Sequence, residues 1–264
     1  MSVDRLLKRM PETQASFDPC FAFSVHKSGS TLMHSMLDAA CRAAKIPAVT
    51  VPDIMFNLGD VAGAWQSDSA LLPLFQKHLL YFGFRSFPAI LADEAAQIRN
   101  RRFVLLVRDP RDALVSQYFS FGRKKSSHAV PKENADAYLK TRDQIEETEI
   151  DEYVLREAPG LARKLGEYRH YLDFDHGMVR RYEDIYYDKL MFLADIFAHF
   201  GIDISEQIVT DVARQHDIRP AQEDDSKHIR KGTPGDHREK LAPATISSLN
   251  EVFRDVGAFY GYDL

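Results

Sequence analysis

The side chains best suited to chemistry fall into three polar clusters, each beside a turn. The first is Val25-His26-Lys27-Ser28-Gly29-Ser30-Thr31-Leu32. An apolar run ends there, a turn of small residues carries one lysine and three hydroxyls, and a helical pattern begins. A helix N-terminus offers unpaired N–H groups and the positive end of its dipole, so this composition suits a bound phosphate. Gly29 lets the backbone come close, and Lys27 adds a point charge. The second cluster is Arg108-Asp109-Pro110-Arg111-Asp112-Ala113-Leu114-Val115-Ser116. Arg108 ends an apolar run, where a guanidinium can grip phosphate through two parallel hydrogen bonds. Ser116 lies two helical turns on, within reach of the same anion, whereas Arg111 and Asp112 read as a solvent-facing helix start. The third, His228-Ile229-Arg230-Lys231-Gly232-Thr233-Pro234-Gly235-Asp236-His237, sets two cations before a glycine-flanked turn. It reads as a second phosphate grip.

These clusters do not form a nucleoside-triphosphatase loop. That pattern places lysine directly after its second glycine, whereas here Lys27 precedes Gly29. The later strand also ends on Arg108 rather than on an aspartate for magnesium. Phosphate held by Lys and Arg, with no metal carboxylate, points to chemistry without a metal. A magnesium-dependent nucleotide or small-molecule kinase is the enzymatic rival.

The elements that must position these groups alternate between short apolar runs and helical periodicity. Cys20–Val25, Ala48–Val51, Phe103–Val107 and Met178-Val179 read as strands. Leu32, Met33, Met36, Leu37 and Ala40 mark the inner face of one helix. Asp109-Pro110 opens a second helix through about Phe119. A third, ended by Gly201, turns Leu190, Leu193, Ile196, Phe197 and Phe200 inward. Such alternation predicts an α/β fold, a central parallel sheet flanked by helices, with ligands beyond the carboxyl ends of the strands. The charged stretch 122–150 reads as a solvated insertion or as a lid over the site. Trp65 with Phe82, Phe84 and Phe87 could wall an acceptor pocket or pack in the core.

The chain has 264 residues, 45% of them hydrophobic and 28% charged, which fits one globular domain over 1–264. Its net charge of −5 argues against nucleic acid as a partner. Two cysteines, Cys20 and Cys41, are too few for a disulfide framework and read as free buried thiols. No run approaches the roughly 20 apolar residues of a membrane span, so a cytoplasmic protein with a small-molecule partner and no membrane contact is expected.

Together, in this order and spacing, the three clusters resemble the cytosolic-type sulfotransferases, whose sulfuryl donor is 3′-phosphoadenosine 5′-phosphosulfate (PAPS). The resemblance runs from about Phe21 to Tyr262. It implies that Lys27, Ser28, Gly29, Ser30, Thr31 and Leu32 form a P-loop-like cradle for the 5′-phosphosulfate, with Lys27 catalytic. It implies that Arg108, Ser116, Arg230, Lys231 and Gly232 hold the 3′-phosphate. Arg181-Tyr182-Glu183-Asp184 matches a further element of that family and places Tyr182 near adenine. The product would be adenosine 3′,5′-bisphosphate (PAP), and no metal is implied.

The departures from that family are specific. Leu32 replaces a tryptophan, His26 a proline, and His237 the tryptophan of a Gly-Asp-Trp signature. The Thr-His pair that supplies the base has no counterpart, for the stretch reads Gly83-Phe84-Arg85-Ser86-Phe87-Pro88. That loss keeps open a catalytically degenerate module that binds PAPS or PAP. Asp53 is the first choice of base. It follows the second strand and matches by position the loop glutamate of tyrosylprotein sulfotransferases. His26 is an alternative, and His34 another although its spacing puts it on a solvated face. Arg85 would suit an acidic acceptor or the sulfuryl oxygens, or a plain salt bridge.

Overall fold

The computed structural model describes residues 6, 8–11, 16–60, 63–122, 143–219 and 231–264. Arg230 and residues 123–142 of the expected lid therefore lie outside the described residues. Five parallel strands form the sheet, in the order β2-β3-β1-β4-β5. They are β1 (Cys20–Ser24), β2 (Ala48–Val49), β3 (Leu80–Phe84), β4 (Phe103–Val107) and β5 (Gly177–Arg181). The helices are α1 (Ser30–Ala44), α2 (Val51–Asn57), α3 (Pro110–Gly122), α4 (Ile150–Tyr171), α5 (Tyr182–Tyr187), α6 (Lys189–Phe200), α7 (Glu206–His216), α8 (His237–Lys240) and α9 (Pro243–Phe259). Short 3₁₀ turns link β2 to β3 and β3 to β4.

Strand periodicity divides the core. Phe21, Phe23, Phe103, Leu105 and Val107 point to one face, where α3, α4 and α9 cover them. Cys20, Ala22, Val104 and Leu106 point to the other, beneath α1, α5, α6 and α7. Burial on both faces explains why β4 reads as an unbroken apolar run, Phe-Val-Leu-Leu-Val. The sheet's order reverses around β1, since the chain runs outward to β2 and β3 and then crosses to β4. A crevice opens at such a reversal, at the carboxyl ends of the strands. Lys27 follows β1 and Arg108 follows β4, so the two cationic turns face that crevice.

Several sequence expectations are corrected. The second strand stops at Val49, because Pro52 stands at the start of α2 and fixes a helical φ there. Asp53 therefore sits in the first turn of a helix. β3, whose aromatic residues offered either a pocket wall or core packing, is a strand that the sequence did not predict. Leu190 is exposed rather than inward. Of the two readings of Phe82, Phe84 and Phe87, core packing holds for all three, and Phe84 also lines the cavity described below. Cys20 and Cys41 are free and buried as expected, and burial pushes the Cys41 thiol up to about 12. No helix among the described residues is long and apolar enough to cross a membrane.

Candidate functional site

The turn after β1 is held from beneath. Ser28 donates its backbone N–H to the Val25 carbonyl at 3.2 Å, and its Oγ accepts from Val25 N–H at 3.1 Å. Its one hydroxyl proton serves either the Val25 carbonyl at 2.6 Å or the Leu106 carbonyl at 3.1 Å. Ser28 thus fastens the turn to β4, and its polar groups are engaged in that brace. Lys27 takes a left-handed backbone, φ 64°, which is strained for a residue with a side chain. Gly29 follows at φ 88°, and a Cβ there would lie 2.5 Å from the Tyr182 ring. Both its conformation and the tyrosine against it require glycine.

Lys27 Nζ donates to Ser120 Oγ at 3.0 Å. Burial, then the Arg108 and Arg85 guanidinium groups, lower its pKa to about 8. Three cations, Lys27, Arg108 and Arg85, thus converge on one place, an arrangement suited to an anion. Arg108 donates to the Lys27 carbonyl at 3.3 Å, and its guanidinium lies 4.5 Å from the centre of the Tyr182 ring. Its Nε is buried without a hydrogen-bond partner. Tyr182 donates its hydroxyl to the Gly232 carbonyl at 2.6 Å, which ties the third cluster to the first two.

A cavity of about 630 Å³ opens over these groups, within the 300–1,000 Å³ of ordinary small-molecule sites. Lys27, Gly29, Ser30, Thr31, Arg108, Ser116 and Tyr182 line one part; Asp53, Phe56, Trp65, Phe84, Arg85 and Pro88 line the rest. His26 lines it too, with its ring edge-on to Phe121. Ser28, Leu32, Lys231 and Gly232 do not line this cavity. Lys231 Nζ instead bonds Asp236 at 3.1 Å and Glu239 at 2.7 Å. Asp53 and Arg85 meet at 4.0 Å, both side chains partly open to solvent.

Two sequence readings change here. His34 is buried, not solvated: its Nε2 lies 3.4 Å from Ser24 Oγ and its Nδ1 has no partner. Burial, with Arg85 nearby, lowers its pKa to about 3. It stays neutral and outside the cavity, which removes it as a base. Arg111 and Asp112 are also buried. Arg111 bonds Asp109 at 2.7 Å and Asn250 at 2.8 Å, while Asp112 reaches the loop before α8. Sequence reasoning missed Asp112, although its place one helical turn after Arg108 was the available signal. It also missed how Glu183 works. One oxygen accepts from Asp109 N–H at 2.9 Å and the other from Tyr262 hydroxyl at 2.8 Å, so Glu183, in the first turn of α5, joins the residue before α3 to the C-terminal segment.

Comparison with known proteins gives the family and the fold. The family model described as a sulfotransferase domain matches residues 18–260. The crystal structure of mouse sulfotransferase SULT7A1 complexed with PAP superposes with a TM-score of 0.58 at 17% identity. That match covers 98% of this chain and 94% of the mouse chain, and it shows a shared fold. A retinol dehydratase in a complex with retinol and PAP aligns at 0.49 and 17% identity, over 97% and 84% of the two chains. A sulfotransferase from Alicyclobacillus acidocaldarius aligns at 0.47 and 15%, over 95% and 98%. A search of curated proteins found no significant match.

Proposed function

The chain belongs to the sulfotransferase family, and on that premise we propose that it transfers a sulfuryl group from PAPS to a hydroxyl or amine of a small-molecule acceptor by in-line displacement. One observation carries this reading: the Lys27 turn and the Arg108–Ser116 pair open on a single cavity. Lys27, its pKa lowered by burial and by the Arg108 and Arg85 guanidinium groups, and the Arg108 beside it fit a multiply charged anionic donor.

In this reading Lys27, protonated below about pH 8, meets the negative charge that develops on the departing phosphate oxygen. A donor fixed in advance at such a point is worth about 2.7–4 kcal/mol of barrier. The N–H groups at the start of α1, with Ser30 and Thr31, cradle the 5′ end, while Ser28 braces the turn and Leu32 packs beside it. Arg108, Ser116 and the loop of Arg230, Lys231 and Gly232 take the 3′-phosphate, and Tyr182 lies against the adenine side. Lys231 must exchange its bonds to Asp236 and Glu239 to join them. As sulfur passes from the phosphate oxygen to the acceptor oxygen, Asp53 takes the acceptor proton. Arg85, 4.0 Å from that carboxylate, faces the acceptor or the sulfuryl oxygens.

A binding module without transfer is the second reading, favoured by the missing Thr-His pair. Transfer of labelled sulfuryl from PAPS to a panel of phenols, alcohols, sugars and amines separates the two. Turnover on at least one class is expected, and Asp53→Asn should lower kcat about 10²–10⁴-fold while leaving PAP affinity intact. Tight PAP binding with no transfer to any class would favour the module.

A further inference from the structure

One buried carboxylate joins the loop before α8 to Arg108. Asp112, in the first turn of α3, has a fully shielded side chain. Its Oδ1 accepts from the His237 backbone N–H at 2.9 Å and lies 2.6 Å from His237 Nδ1. Its Oδ2 accepts from the Gly235 N–H at 2.6 Å and lies 3.8 Å from Arg108 Nη2. Burial alone would raise this carboxyl's pKa; the His237 ring, Arg108 and the two N–H groups outweigh it and hold it at about 2. The carboxylate is therefore ionised and saturated with donors.

A bare carboxylate beside a phosphate site would repel the ligand, since a like charge nearby disfavours ionisation of both groups. Here the charge is turned inward, onto the loop and onto the inner edge of Arg108. Arg108 itself lines the cavity, and its Nε is buried without a hydrogen-bond partner. Tyr182 closes a ring of contacts, with Arg108 over its face and its hydroxyl on the Gly232 carbonyl. His237 stands where the resembling family has tryptophan, so the imidazole–carboxylate bond is a feature of this chain's own sequence.

We propose that Asp112 is a positioning residue that sets Arg108 and the loop of residues 231–237 as one unit, and that discrimination for a 3′-phosphate on the nucleotide depends on it. The inference rests on the donor reading above. It goes further by assigning selectivity to a side chain that does not itself line the cavity.

The test is calorimetric titration of the full chain with adenosine 3′,5′-bisphosphate and with adenosine 5′-monophosphate, alongside thermal unfolding of the ligand-free protein. Wild type, Asp112→Asn and His237→Phe are compared. Losing charge-assisted hydrogen bonds should weaken bisphosphate binding by Asp112→Asn about tenfold or more, and monophosphate binding less than about threefold. His237→Phe should shift the same ratio by a smaller factor, and it carries the comparison if Asp112→Asn does not fold. An unchanged ratio in a folded variant overturns the inference while leaving the donor reading intact. A wild type that binds both nucleotides alike overturns the donor reading, and this inference with it.

Discussion

Lys27 combines a left-handed backbone, a half-buried ammonium and two neighbouring guanidinium groups. Its pKa is lowered from the ordinary lysine value to about 8, so the charged form is held against burial and repulsion until an anion arrives. The sign of the pH effect follows. Below about pH 8 the free enzyme carries the cation, and above it the cation is lost. kcat/KM for the donor reports the free enzyme, so it should fall as pH rises through about 8. Lys27→Arg should move that fall to higher pH, whereas a profile flat to pH 10 would remove Lys27 from the chemistry. At neutral pH Lys27→Ala should lower kcat about 10²–10³-fold and donor affinity by much less, because Arg108 and the loop still hold the nucleotide. Steady-state kinetics showing the reverse would exchange the roles of Lys27 and Arg108.

At the scale of elements, α1 lies on the sheet through Met33, Met36, Leu37 and Ala40, and His34 is buried on that same inner face. The folded state holds His34 neutral down to about pH 3, whereas the unfolded chain takes up that proton near 6.5. Stability therefore falls as pH drops through this window, by about 1.4 kcal/mol per unit from this group. His34→Leu should flatten the slope of denaturant-derived stability between pH 6.5 and 5; equal slopes would place His34 in contact with water. The inner stripe of α1 was legible from its 3.6-residue period, and β4 was legible to the residue. His34 was not, because a histidine among Asp38 and Cys41 looks polar, and only the packed Phe82 and Ser24 show otherwise. β3 escaped because Gly83, needed for its positive φ of 95°, broke the pattern of a strand. Arg111 and Asp112 escaped because their partners, Asn250 and the residues near His237, are more than a hundred positions away.

For the whole molecule, the sheet's reversal around β1 brings segments 81 residues apart, at Lys27 and Arg108, into contact at 3.3 Å. The loop near Gly232 is drawn to the same place through Tyr182. The convergence of Lys27, Arg108 and Ser116 on one cavity was readable in the sequence because cations and small residues at strand ends carry a local signature. Trp65, Phe84 and Arg85 could be named as candidates, but that they meet on one cavity with Asp53 was not legible, since they come from a 3₁₀ turn and the end of a strand whose meeting no short spacing records. The central claim is that one cavity clasps both ends of a doubly phosphorylated adenosine. Its most direct test is thermal unfolding of the wild-type chain with PAP, ADP or ATP, each with and without magnesium. At a hundredfold excess over Kd, PAP should add about 2.7 kcal/mol of stability, a shift of several degrees, while ADP and ATP add far less and magnesium changes nothing. Equal shifts for all three nucleotides, or a shift that needs magnesium, would contradict the account.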